Sequence, residues 1–222
     1  MRYIVIAFLL LPLNGFSQAD PFSNKILTPQ EMQEDFSYLR KIFEETHPGL
    51  YRYTSKHIMQ AELDSVKSLL GIERSFYDFY RIISHLVSDI RCAHTHLVPT
   101  KNFNTFYNNQ IKTFPLMIFF TEGAYYVTVN GTKDTFIKPG FELLSINGKS
   151  MDSIRNEMQR GLWADGYNQT GKNKALSEGF FPLFYYLLIE QCESFVLKMK
   201  DLENKEVERS IPAQYQEETK RF

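Results

Sequence analysis

Few cysteines, almost no net charge and few long apolar runs set the first limits on this chain of 222 residues. Two thiols, Cys92 and Cys192, cannot build the disulfide framework of a small secreted domain, and we expect both to be free. A net charge of −1 gives no reason to expect nucleic acid as a partner. The most apolar later segment, Leu183–Ile189, is too short to cross a bilayer. With 43% hydrophobic residues, the chain can still build a proper core.

The N-terminus has the anatomy of a secretory signal peptide. Arg2 precedes the apolar run Tyr3–Leu13, and Gly15 and Ser17 are the small residues that signal peptidases prefer before a cleavage site. The run is too short to span a bilayer comfortably. We therefore predict that residues 1–17 are removed and that the protein is exported, periplasmic or secreted, with no integral membrane segment left.

Capping signals predict three amphipathic helices in the first half of the mature chain. The segment Thr28–Glu31 combines a capping box with proline at the first helical position. Further helices are expected to begin near Ser55 and Ser75, because apolar residues follow each serine at helical spacing. We assign residues 18–104 to a helical N-terminal domain.

A β-rich pattern follows from about Lys112. Aromatic and β-branched residues predict strands at 114–120 and 125–129. The stretch Ile137–Ile154 then has the order turn, strand, Asn-Gly hairpin and short amphipathic helix. That order is typical of the carboxylate-binding half of a PDZ-like domain, which adds an extended peptide to its sheet edge.

These patterns predict an α+β protein with an N-terminal helical bundle and a PDZ-like β domain. The β domain is assigned to residues 105–213, with a helical insertion at 161–190 and a polar tail at 214–222. In such a domain the turn and strand edge offer N–H groups to a peptide carboxylate. We expect Gly140, Phe141 and Leu143 to form the peptide-binding groove.

The sharpest local cluster of reactive side chains is Cys92–Leu97, which reads CAHTHL. If this segment is extended, Cys92, His94 and His96 lie on one face, because strand side chains alternate. Such a set could hold zinc or copper, although a metal site normally draws a further ligand from elsewhere. The alternative is a histidine satisfied by backbone hydrogen bonds at a domain junction. We assign no metal site and expect no cofactor, and we keep a metal-binding protein as an outlying alternative.

Five segments carry a resemblance that covers nearly all of the mature chain: Leu27–Tyr53, the His-Thr pair of CAHTHL, Lys112–Phe120, Pro139–Ser150 and Asp165–Lys172. On these segments the sequence resembles the N-terminal part of the tail-specific (C-terminal-processing, tricorn-core-like) serine peptidases. Cys92-Ala93 stand where many members carry Asp-Gly.

The resemblance implies that a separate α/β catalytic domain follows the PDZ-like domain. It also implies that His94 is the general base for the catalytic serine, since a serine hydroxyl is a weak nucleophile until a base takes its proton. Other branches of the family use a Ser-Lys pair and leave this histidine structural. A serine precedes the histidine in tricorn-like sites, whereas Ala93 stands here.

No nucleophilic elbow of the form Gly-x-Ser-x-Gly occurs in the sequence, and its serines show no evident neighbouring base. We therefore expect the non-catalytic N-terminal part of an exported serine peptidase, inactive alone. Its partners would be peptides or unfolded protein C-termini and the missing catalytic domain. The alternative is a stand-alone periplasmic peptide-binding module without protease activity.

Overall fold

The computed structural model describes residues 21–22, 24–121 and 123–219. It contains 46% helix and 20% strand, which confirms the α+β class. The predicted signal peptide lies outside the described residues. Among the residues that are described, no helix is both long enough and apolar enough to span a membrane.

The three predicted helices are present and begin at the predicted caps. Thr28 and Glu31 form the capping box, and the side chains of Ser55 and Ser75 each accept a backbone N–H from the first turn of their helix. The first half of the chain contains α1 (Pro29–Thr46), α2 (Lys56–Leu69) and α3 (Phe76–Asp89), with the short strands β1 (Ile26–Leu27) and β2 (Arg74–Ser75) paired antiparallel.

A fourth helix, α4 (Lys101–Gln110), was not predicted. Thr100 caps it, and Phe103, Phe106 and Tyr107 are buried from one face. The short strand β3 (Lys112–Thr113) follows. The main sheet therefore begins only after this additional helix.

An antiparallel sheet lies in the second half of the chain. Its strands are β4 (Leu116–Phe120), β5 (Tyr125–Asn130), β6 (Glu142–Ile146), β7 (Lys149–Ser150), β8 (Ser194–Lys200) and β9 (Glu206–Pro212). The order is β4-β5-β6-β8-β9, and β7 pairs with β6 beside this path. Asn147 and Gly148 take φ of 49° and 76°, so the predicted tight hairpin between β6 and β7 is confirmed.

The strand β6 lies inside the sheet. It pairs with β5 and β7 as well as with β8. Both sides of β6 therefore already have strand partners, and the expectation that the turn and strand edge receive a peptide stays a prediction. The assignment of the sheet as PDZ-like stays a prediction.

Helical segments connect the hairpin to β8. They are α5 (Met151–Gly161), α6 (Gln169–Ala175), α7 (Phe181–Phe184) and two wide helical turns, Leu176–Phe180 and Tyr185–Ile189, on either side of α7. Gly179, with φ of 104°, bends the chain before α7. The apolar side chains of α5 and α7 pack into the core that underlies the sheet.

The residues assigned to a polar tail are ordered as far as the structure describes them. Gln214–Tyr215 form β10, which pairs antiparallel with β3, and α8 (Gln216–Thr219) follows. The first six residues of the segment 214–222 therefore belong to the fold.

Two hydrophobic cores meet at α3. Its residues Ile83, Leu86 and Val87 lie in the core shared with α1 and α2, whereas Tyr77 and Tyr80 lie in the core under the sheet. The sheet's core thus extends into the region assigned to the helical domain. The domain limits given above stay a prediction.

Candidate functional site

The segment after α3 is a tight turn. Arg91 takes a left-handed φ of 59°, and the amide of Thr95 donates to the carbonyl of Cys92 at 3.0 Å. The segment is therefore not extended, so the condition under which Cys92, His94 and His96 would share one face is not met. The turn from Cys92 to Thr95 follows the left-handed Arg91 and brings positions 92 and 94 side by side.

Asp165 joins this turn from the loop after α5. Its Oδ1 accepts the amide of Ala93 at 2.8 Å. A ligand atom of each of Cys92, His94 and Asp165 lies within 4.8 Å of the other two. Cys92 is half-buried, and the other two residues are exposed. The structure thus brings together two residues predicted from the sequence and one that was not.

His96 is directed elsewhere. Its ring stacks on Trp163, with 4.6 Å between the ring centroids and an interplanar angle of 26°. Trp163 is itself half-buried and contacts Phe184. His96 therefore belongs to an aromatic contact beside the turn and not to the group formed by Cys92, His94 and Asp165.

His47 fixes the other side of the turn. Its Nδ1 accepts the amide of Gly49 at 3.1 Å, so in the neutral ring the proton lies on Nε2. Nε2 is 2.7 Å from Thr95 Oγ1 and donates to that hydroxyl. The residue that stops α1 therefore also positions the threonine next to His94.

An aromatic wall flanks the site. The guanidinium of Arg91 lies 4.2 Å from the centroid of the Tyr167 ring, and Tyr53 meets Tyr167 edge to face. Gly166 lies against the Tyr53 ring, and its amide donates to Arg91 O at 2.9 Å. Tyr167 is 70% exposed, so this side of the wall is open to solvent.

Beneath the turn, Lys172 reaches a buried serine. Its Nζ donates to Ser88 Oγ at 3.1 Å and to Gln159 O at 2.7 Å. Burial lowers the pKa of the Lys172 ammonium, the nearby Arg91 lowers it further, and Asp89 opposes both. The expectation that no serine has a base beside it is thus wrong for Ser88.

This Ser-Lys contact is not arranged for nucleophilic catalysis. Ser88 Oγ donates its own proton to Leu162 O at 2.5 Å, and the side chain is only 6% exposed. A nucleophile would have to give that proton to the base and face a substrate. The contact instead ties the end of α3 to the residues after α5.

The residues expected to bind a peptide are largely buried or bonded within the chain. Phe141 is 4% exposed and Leu143 is fully buried. The amide of Gly140 donates to Val127 O at 2.8 Å, and that of Phe141 to Lys138 O at 3.2 Å. Peptide binding at Gly140, Phe141 and Leu143 stays a prediction, and it would require these two amides to exchange their present partners.

No protein-family model matches the chain, and no curated protein matches its sequence. Its fold is similar to solved structures of CPAF. Mature CPAF shares 12% identity over 83% of this chain and 34% of that chain, with a TM-score of 0.59. CPAF complexed with lactacystin gives the same identity and coverage with a TM-score of 0.57. The chain spans about a third of the solved structures that it matches, and a likeness at this identity shows the fold alone.

Two site residues escaped the sequence analysis in different ways. Asp165 lies 72 positions from its partner Ala93, and periodicity carries no information about contacts at that distance. His47 precedes a proline and a glycine, and that pair signals the end of α1 and not a site residue. For Asp165 the sequence offers only the glycine that follows it and its place in the segment Asp165–Lys172, one of the five that carry the family resemblance.

Proposed function

We propose that this chain is the non-catalytic N-terminal part of an exported serine peptidase of the tail-specific type. The observation that carries the proposal is the fold shared with about a third of CPAF, which is a serine protease similar to the tail-specific enzymes. The complete enzyme would hydrolyse peptides or unfolded protein tails. In this scheme the sheet is the PDZ-like domain, and this chain contributes recognition.

In the complete enzyme, His94 would act as general base. It is exposed, and it sits in a turn held by Asp165 on one side and by the Thr95–His47 contact on the other. An acid oriented beside a histidine keeps the imidazole in its productive orientation and stabilises the protonated ring. A ligand atom of Asp165 lies within 4.8 Å of one of His94, so the complete enzyme would have to draw the two side chains together for Asp165 to act in this way.

The serine nucleophile would come from the catalytic domain. The sequence contains no nucleophilic elbow, and the buried Ser88 sends its proton to a backbone carbonyl. The partners of this chain would therefore be the catalytic domain and the C-termini of peptides or unfolded proteins. Export to the periplasm or beyond follows from the N-terminal pattern of charged, apolar and small residues.

The first experiment measures turnover of an unfolded protein by the purified chain. We expect none, because a base without a nucleophile forms no acyl-enzyme. The complete enzyme, in which a catalytic domain is joined to this chain, should hydrolyse the same substrate. Turnover by the chain alone that a serine-directed inhibitor abolishes would overturn the proposal that the nucleophile comes from a separate catalytic domain.

The second experiment tests His94 in the longer protein. His94→Ala should lower kcat by about 10⁶-fold, as loss of the histidine of a catalytic triad does. His96→Ala is the matched control, because His96 is also exposed and lies two positions away but stacks on Trp163. It should keep kcat within a few-fold. Equal activities of the two variants would remove His94 from the mechanism.

A further inference from the structure

Three side chains of different chemistry converge at the turn after α3. The Cys92 sulfur, a ring nitrogen of His94 and a carboxylate oxygen of Asp165 lie within 4.8 Å of one another. A tetrahedral zinc ion holds such donors at about 2.0–2.3 Å, which separates them by about 3.3–3.8 Å. Shifts of about 1 Å in side chains at the protein surface would therefore bring all three onto one ion.

We propose that Cys92, His94 and Asp165 form a binding site for a divalent transition metal, with zinc as the preferred ion. A thiolate, an imidazole and a carboxylate are all ligands that zinc accepts. Calcium and magnesium demand oxygen donors throughout, so this set selects against them. Three protein ligands leave the fourth tetrahedral position to a water molecule.

Hydrogen bonds already hold the donors near their places. The turn that sets residues 92 and 94 side by side is closed by the Thr95 amide on Cys92 O. Asp165 is oriented by the hydrogen bond that the Ala93 amide donates to its Oδ1. A carboxylate has two oxygens, so it can accept this hydrogen bond and bind an ion at the same time. Such outer contacts orient metal ligands and raise affinity.

The loop that carries Asp165 is pinned to the turn independently of any metal. Gly166, the next residue, donates its amide to Arg91 O at 2.9 Å. The Arg91 guanidinium, the nearest cation in the sequence, lies over the Tyr167 ring at 4.2 Å, and this contact occupies the side chain. The two halves of the site are thus joined before an ion arrives, and the binding cost of ordering them is small.

The site differs from the one that an extended segment would give. His96 stacks on Trp163, and Asp165 takes its place as the third ligand. A metal bound here would also occupy a ring nitrogen of His94, the residue assigned as general base. The two proposals are tested separately, because metal binding is measured on this chain alone and catalysis only on the longer protein.

The test is a cobalt titration of the reduced chain, purified without a histidine tag. Cobalt bound to a thiolate gives a charge-transfer absorption in the near ultraviolet, which reports directly on a sulfur ligand. We expect one equivalent to bind, and zinc to displace it. Saturation without a thiolate band, or no saturation at all, would overturn the proposal.

Variants assign the ligands. Cys92→Ser should abolish the thiolate band, and His94→Ala should weaken binding by more than about 100-fold, beyond the 10–100-fold typical of losing an outer-shell partner. Asp165→Asn keeps an acceptor for the Ala93 amide but loses the charge, and should weaken binding by about tenfold or more.

Two controls separate this site from other thiols and histidines. Cys192→Ser and His96→Ala should each retain the band and the affinity of the wild type. A band that disappears with Cys192→Ser, or that persists in Cys92→Ser, would refute the assignment. So would an affinity that is unchanged in Asp165→Asn.

Discussion

Gly166 offers the sharpest test of how the candidate site is held together. Its φ of 59° is left-handed, and a Cβ built there would lie 3.2 Å from Cε1 of Tyr53. The left-handed conformation costs a non-glycine residue about 1–2 kcal/mol. The Tyr53 ring would have to yield by a few tenths of an ångström, and the amide contact with Arg91 O would weaken.

Gly166→Ala should therefore lower the free energy of unfolding by about 2 kcal/mol. Gly171 supplies the matched control five residues later. It lies inside α6 without a left-handed φ, and the nearest atom to a Cβ there is 3.6 Å away. Gly171→Ala should be neutral or stabilise the protein by up to about 1 kcal/mol, because alanine is the better helix former.

The assay is urea unfolding followed by circular dichroism. With a slope of about 2 kcal/mol per molar, the Gly166→Ala midpoint should fall by about 1 M relative to the wild type. The Gly171→Ala midpoint should stay or rise. If both variants unfold at the same urea concentration, or if Gly166→Ala is as stable as the wild type, the strain argument fails.

Two further predictions concern other side chains. His47→Ala removes the hydrogen bonds to Thr95 and to the Gly49 amide, so it should lower the free energy of unfolding by about 1–2 kcal/mol. His57 is exposed, and His57→Ala should change that free energy by no more than about 0.5 kcal/mol. Equal effects of the two substitutions would show that the His47 contacts contribute little. Burial, together with Glu190, raises the pKa of the Cys192 thiol to about 11. At pH 8 its thiolate fraction is about 200-fold smaller than that of a thiol of pKa about 8.5, and the higher nucleophilicity of the more basic thiolate recovers about tenfold. In a Cys92→Ser background Cys192 should therefore react with a disulfide reagent about 20-fold more slowly than such a thiol, since only the thiolate attacks, and an equal rate would contradict the effect of burial.

Local signals predicted much of the fold. The first helix could be placed because Thr28, Pro29 and Glu31 determine its start within four residues. The hairpin at Asn147-Gly148 could be placed because both residues accept a positive φ. In each case the local structure is determined by residues adjacent in sequence, and a sequence pattern can therefore predict it.

The helix α4 shows where such reasoning stops. Its polar positions are rich in asparagine, a poor helix former, and the signal lies in the buried trio Phe103, Phe106 and Tyr107. These residues pack into the core beneath the sheet. Tertiary packing therefore overrides the local preference, and a single-sequence pattern cannot weigh that energy.

The site needed information that the local pattern does not hold. An extended segment would place Cys92, His94 and His96 on one face, but the chain turns just after the left-handed Arg91. Asp165 then replaces His96 in the group around His94, because the loop after α5 reaches back to the turn. The residue types were visible in the sequence, and their partners were not.

The turn after α3 is tied down at every stage of its course. It leaves a helix whose opposite faces lie in two cores, and contacts from Gly166, Asp165 and His47 then hold it. The backbone of the turn therefore has little conformational entropy left to lose when a ligand binds. Ordering a mobile side chain at an interface costs about 0.5–1.5 kcal/mol. An ion or a partner domain that binds this loop therefore contacts a backbone that is already ordered, because the conformational entropy was lost when the chain folded.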